Sequence, residues 1–219
     1  MILDDHWPLF RLSVRSARLE LRLPTPENLA ELAARAGDEV HQPGTAPFPI
    51  VGWTPAPSPR RERTLLQYHW RSLAEWVPER WNLVLVANAD GSVVGSELLS
   101  AAHFAVTRTV TTGSWLVREH QGRGLGKEMR SGALALAFNG LGADAANSAS
   151  FDTNEASIAV SRSLDYEENG VSVRALGTSR ITELHFRMTR ERWYASERPA
   201  FSIDGLSEEC LGMFGADPR

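Results

Sequence analysis

The stretch Gly113-Ser114-Trp115-Leu116-Val117-Arg118-Glu119-His120-Gln121-Gly122-Arg123-Gly124-Leu125-Gly126-Lys127 decides how the rest of the chain is understood. Thr109 to Val117 has the pattern of a strand, and a short polar link follows. Glycines 122, 124 and 126 then open a segment that carries Leu125, Met129, Gly132, Ala133, Leu136 and Ala137 on one stripe, the spacing of a helix lying on a sheet. Glycines at every second position let the backbone curl with its N–H groups inward, and a helix N-terminus adds about half a positive charge. The loop is suited to phosphate. Two familiar phosphate motifs do not fit it. A P-loop needs Gly five residues before the Gly-Lys pair and Ser or Thr after it, where this chain has Gln121 and Glu128. A dinucleotide fingerprint needs G-x-G-x-x-G after the first strand of a βαβ unit, whereas this G-x-G-x-G follows an antiparallel hairpin.

Working outward, Ser92 to Ala101 and Asn82 to Asn88 form that hairpin about the turn Ala89-Asp90-Gly91. Before it, Arg61 to about Val77 reads as a helix, with Leu66, His69, Trp70, Leu73, Trp76 and Val77 at core spacing. Asp38 to Arg60 holds six prolines with Phe48 and Trp53 and reads as a long ordered loop, a candidate substrate wall. The first strand is marked by Leu19, Leu21 and Leu23, and Thr25-Pro26 starts a helix that stops at Gly37. Downstream, Ala145 to Phe151 is a small-residue strand, and Asp152 to Glu155 reads as a helix start capped by Asp152. Val171 to Leu176 and Ile181 to Met188 supply an antiparallel finish to an α/β (α+β) fold with a mixed sheet. The tail beyond Trp193 is polar and expected to be only partly ordered.

With 219 residues, 42% hydrophobic, the chain can bury a sizeable core, and a net charge of -4 gives no bulk attraction to nucleic acid or membrane. No apolar run approaches the roughly 18 residues of a membrane span. Asp4 and Asp5 stand where a secretory signal carries positive charge, and the single Cys210 can form no internal disulfide, so a cytoplasmic protein is expected. His6, His41, His69, His103 and His185 show no helical pairing with one another or with Cys210, so no metal site is expected.

Gln121-Gly122-Arg123-Gly124-Leu125-Gly126 resembles the Q/R-x-x-G-x-G/A signature of the GNAT superfamily of N-acetyltransferases. Arg18-Leu19-Glu20-Leu21-Arg22 with Thr25-Pro26-Glu27, and Asn154-Glu155-Ala156-Ser157 to Leu164-Asp165-Tyr166, are similar to segments of its RimJ/RimL-like branch. The resemblance covers roughly Ala17 to Leu176. It implies a central, mostly antiparallel twisted sheet flanked by helices, one domain over residues 1–219 with its core at about 17–193, and acetyl-CoA as cofactor. It also implies direct acetyl transfer to a primary amine, on a protein N-terminus or a small molecule. A homodimer would fit the family, though no feature of the sequence requires one. The rival from another class is a coenzyme A binding sensor or interaction domain without catalysis. Two departures stand out. Asp165 replaces a glycine, which a left-handed backbone there would tolerate. Ser161 stands seven residues after Asn154, where many members carry a Tyr acid.

The resemblance assigns the cofactor to Leu116, Val117, Gln121, Gly122, Arg123, Gly124, Leu125, Gly126, Lys127 and Asn154. Leu116 would offer a main-chain N–H to the thioester carbonyl, Asn154 a hydrogen bond to the pantetheine arm, and Arg123 and Lys127 charge to the phosphates. Acetylation needs a neutral amine and a proton for the departing thiolate. An α-amine of pKa about 8 is neutral at pH 7 for a cost of about 1.4 kcal/mol, against about 4.6 for a lysine amine. Glu97 is the favoured candidate base, with Glu119 and His120 in the link before the loop as alternatives: an acidic residue in an apolar strand faces either solvent or a cleft, and by simple alternation Glu97 shares a face with Val93 and Gly95. Ser157 is the candidate acid, as the Ser of the branch's N-x-x-S segment. His41, Phe48 and Trp53 in the long loop, with Trp70 and His69 behind them, are candidates for the acceptor pocket.

Overall fold

The computed structural model describes residues 3–37, 40 and 56–217. In chain order the elements are β1 (Ser13–Arg15), β2 (Leu19–Arg22), α1 (Pro26–Gly37), α2 (Arg60–Ala74), β3 (Arg80–Ala89), β4 (Ser92–Ala102), α3 (Phe104–Thr107), β5 (Thr109–Leu116) and α4 (Leu125–Ala135). A π-helical turn, Leu136–Gly140, extends α4. There follow β6 (Ala145–Phe151), α5 (Glu155–Ser163), β7 (Glu167–Leu176), β8 (Ser179–Thr189), α6 (Arg190–Ala195), β9 (Ser202–Asp204) and α7 (Glu208–Met213). The nine strands make one sheet in the order β7-β8-β6-β5-β4-β3-β2-β1-β9, antiparallel throughout except for β5 beside β6.

Both faces of the central strands are buried, as their near-continuous apolar runs require. On β3, Leu83, Leu85 and Ala87 join the core formed with Met129, Ala133 and Leu136 of α4 and its extension. Val86 turns to the other face, where Val93 meets Leu29, Leu32 and Ala33 of α1 and Leu65 of α2. Helix α1 starts where Thr25 Oγ1 accepts the Asn28 N–H at 3.2 Å, and its apolar stripe faces β4.

Two elements depart from the sequence expectation. The cap of α5 is Asn154, whose side chain accepts the Ser157 N–H at 3.2 Å, and not Asp152, which is exposed. The tail beyond Trp193 is built into the fold: β9 pairs with β1, and Phe214 packs edge-on to Trp81 with ring centroids 4.9 Å apart. Trp81 Nε1 donates to the Phe214 carbonyl at 3.0 Å and Trp76 Nε1 to that of Met213 at 2.9 Å. Asp165 has φ 64°, the left-handed backbone expected of it.

Candidate functional site

Two irregularities of the sheet create the site. Strands β5 and β6 pair only from Thr109↔Ala145 to Thr111↔Asn147, although β5 runs on to Leu116 and β6 to Phe151. Each keeps its other partner, β5 along β4 and β6 along β8, so the sheet parts between Thr112 and Ser148. The second irregularity is a β-bulge on β4, where Ala87 pairs with Gly95 and Asn88 with Val93, leaving Val94 extra. A Cβ at Gly95 would lie 2.3 Å from the Trp115 carbonyl oxygen, so only glycine allows β5 this close. Val117 N–H donates to Val94 O at 2.8 Å. That bond sets the antiparallel alternation, turning Trp115 main-chain groups toward β4 and those of Ser114 and Leu116 toward the gap.

At the end of β5 the chain enters the glycine loop. Gly122 and Gly124 have φ of 72° and 81°, conformations that only glycine adopts without strain, and no atom lies within 4 Å of a Cβ built at Gly122 or Gly126. The glycines therefore serve backbone direction and leave open space. Gln121 Nε2 pins the loop's base, donating to Leu116 O at 2.9 Å and Val40 O at 3.0 Å. Gln121 N–H is spent on Arg118 O and Glu128 N–H on Gly124 O. Between them, the N–H groups of residues 122 to 127 have no acceptor among the described residues. Arg123 and Lys127 are exposed and make no ion pair among the described residues, whereas Arg18 is bonded to Glu128. Six N–H groups at a helix N-terminus with no acceptor among the described residues, flanked by two cations unpaired among those residues, suit a diphosphate.

Glu97 does not reach solvent, and among the described residues it lines neither of the two cavities described below. The bulge at Val94 breaks the alternation: Val93 lies on the α1/α2 face, while Glu97 is buried with Leu99 and its cross-strand neighbour Leu85 on the α4 face. Neither carboxyl oxygen has a hydrogen-bond partner among the described residues. Burial pushes its pKa up to about 8, opposed by the nearby Arg130 guanidinium and Ser114 hydroxyl. Arg130, itself buried, donates to Ser161 Oγ at 2.8 Å and to Ser114 Oγ at 3.4 Å. Sequence reasoning passed over Arg130; its only signal was a charged residue inside an otherwise small and apolar helix face. Tyr166 OH meets Thr112 Oγ1 at 3.4 Å on the same buried side, and burial raises its pKa.

On α5, Ser161 is fully buried and donates to Ser157 O at 3.2 Å, so its hydroxyl is committed to the protein. Ser157 is half-buried one turn earlier, and its own hydroxyl has no partner among the described residues. Asn154 Oδ1 is spent on the cap, which leaves its amide nitrogen as the group available to a ligand.

On the other face of β4 and β5 lies a cavity of about 260 Å³. Its floor is Val84, Ser96, Leu98 and residues 113–115; Thr64, Leu65, Tyr68 and His69 of α2 form its wall. Trp70 does not join them: it is 57% exposed on the outer side of α2. His41, Phe48 and Trp53 lie outside the described residues. A larger cleft, about 400 Å³, sits by Arg108 just before β5 begins, at the end opposite the gap. Among the described residues its charges pair off as Arg108 with Asp217 and Arg190 with Asp144, so these four offer a ligand no net charge.

The family model of the acetyltransferase (GNAT) domain matches residues 18–167. Among solved structures, Mycobacterium smegmatis RimJ in complex with CoA-disulfide is 18% identical, with 87% of this chain and 97% of that chain covered and a TM-score of 0.66. RimL, a ribosomal L7/L12 alpha-N-protein acetyltransferase in complex with coenzyme A, is 14% identical over 81% of this chain and 97% of its own, with a TM-score of 0.61. An acetyltransferase (GNAT family) from Bacillus anthracis is 12% identical over 82% of this chain and 99% of its own, with a TM-score of 0.65. At these identities the likeness is one of fold.

Proposed function

The chain belongs to the GNAT acetyltransferase family, and on that premise we propose that it transfers acetyl from acetyl-coenzyme A to a primary amine, on a peptide N-terminus or a small molecule, within a ternary complex. The observation that carries this is the run of unspent N–H groups from Gly122 to Lys127, placed where β5 ends and the sheet has opened. These amides, with the Arg123 and Lys127 cations, would hold the pyrophosphate. Leu116 N–H, turned toward the gap, would donate to the thioester carbonyl, and the Asn154 amide nitrogen to the pantetheine arm. Val117, buried at the end of β5, fixes the direction in which Leu116 points.

Acetyl-coenzyme A supplies an activated acyl group: the amine nitrogen bonds to its carbonyl carbon, the C–S bond breaks, the thiolate takes a proton and the amine gives one up. The residues of this chain favour that exchange in two ways. The cavity beneath α2 disfavours an ammonium ion by desolvation, which raises the neutral amine fraction without a dedicated base. Ser157, whose hydroxyl has no partner among the described residues, would hydrogen-bond the departing sulfur. Glu97 lies on the opposite face from the cavity and, in this proposal, acts only through Ser114 and Arg130 as support for the opened strand. The pairing of β9 with β1 and the packing of α7 into the core support reading residues 1–219 as one domain.

Calorimetry with coenzyme A, followed by thiol-release kinetics with a panel of amines, tests the proposal. Binding followed by turnover supports it. Binding with no turnover on any amine, unchanged in Glu97→Gln and Ser157→Ala, would instead mark a coenzyme A binding module without catalysis.

A further inference from the structure

The floor of the 260 Å³ cavity includes Gly113, Ser114 and Trp115, residues of β5 beyond its last pair with β6, so the cavity borders the opened strand. Among the described residues that line it there is no Asp, Glu, Lys or Arg. Its hydroxyls are largely committed: Thr64 Oγ1 donates to Arg60 O at 2.8 Å, Ser96 Oγ to Leu85 O at 2.9 Å, and Ser114 Oγ accepts from Arg130 on the other face. His69 differs from these. Only 4% exposed, it touches Tyr68 edge-on, and its ring nitrogens have no hydrogen-bond partner among the described residues. A neutral imidazole that lines a cavity and makes no hydrogen bond to a described residue can bond a ligand there.

Resting on the acetyltransferase assignment above, we propose that this cavity selects a primary amine carried on an apolar, uncharged side group, and that the His69 ring accepts a hydrogen bond from that amine. Burial lowers the His69 pKa to about 4, so at neutral pH the ring is uncharged and one nitrogen offers a lone pair. A carboxylate brought into the same space would meet no cation among the described lining residues, which do not compensate the loss of its water. The volume exceeds the roughly 150 Å³ that accommodates a benzene ring, which suits an aryl or branched aliphatic group. An arylalkylamine and a peptide with an apolar first residue share this chemistry.

Thiol-release kinetics on the full chain would compare 2-phenylethylamine, 3-methylbutylamine, and otherwise identical peptides beginning with Leu or Asp. Apolar acceptors should exceed the Asp peptide in kcat/KM by about 30-fold or more; preference between the free amines and the Leu peptide identifies the source. Equal or better use of the Asp peptide overturns the inference while leaving acetyl transfer intact. The His69 ring resonance, followed by NMR, gives a readout independent of turnover: it should shift and saturate with 2-phenylethylamine and stay fixed with aspartate. Its failure to move with the amine overturns the inference, even in a protein that binds coenzyme A and acetylates nothing. His69→Leu should lower kcat/KM for the apolar amine about tenfold, with coenzyme A affinity and melting temperature retained. A loss of stability with unchanged acceptor kinetics would make His69 structural and also overturn it.

Discussion

Arg130 of α4 donates from its guanidinium to the Ser161 hydroxyl of α5 across 2.8 Å, tying the two helices together in the interior. Ser161 donates its own O–H to the Ser157 carbonyl, so the oxygen at the position of the family's tyrosine serves the fold. Ser161→Ala would leave a buried cation short of a partner and should cost about 2–3 kcal/mol in urea denaturation. The kcat should change less than threefold.

Glu97 makes stability depend on pH. Burial raises its pKa from 4.5 to about 8, so between these values the unfolded chain has released a proton that the folded chain retains. Stability should therefore fall as pH rises through that window, by at most about 1.4 kcal/mol per unit, and level off above it. Glu97→Gln removes the ionisation and should flatten this part of the profile, leaving the variant more stable than the parent above pH 8. Urea denaturation of both proteins at intervals from pH 5 to 9 checks the sign.

Asn154 combines two roles that substitution separates. Asn154→Ala loses the cap of α5 and should cost about 1 kcal/mol. Asn154→Asp keeps a capping oxygen but removes the free amide donor, so stability should hold while KM for acetyl-coenzyme A rises. Thermal melts and steady-state kinetics on the two variants distinguish these effects.

The C-terminal segment should matter to global stability. Phe214 is fully buried against Trp76 and Trp81, and Phe214→Ala should cost about 3–5 kcal/mol by chemical denaturation.

Elements with their own period were legible in the sequence. The hairpin of β3 and β4, the small-residue strand β6 and the stripe of α4 fall where alternation and helical spacing put them. The glycine loop was legible because positive φ at residues 122 and 124 demands a residue type. The tail was not, because β9 has three residues and α7 six, too few to carry a period, and both are held by distant partners. The face taken by Glu97 was hidden for another reason. One extra residue at Val94 reverses the phase of the strand, and a bulge between two buried faces leaves no mark in the apolar pattern. Arg130 meets Ser114 and Ser161 through tertiary packing alone and reads on its helix as a stray charge, whereas the sequence already offers His69, at core spacing on α2, as a candidate for the acceptor pocket.

The measurement that bears most directly on the account follows the backbone amide resonances of Gly122 to Lys127 in isotope-labelled protein during titration with coenzyme A. These resonances should move together and saturate, while pantetheine, which lacks the diphosphate, should leave them in place. Coenzyme A binding with those amides unmoved would contradict it.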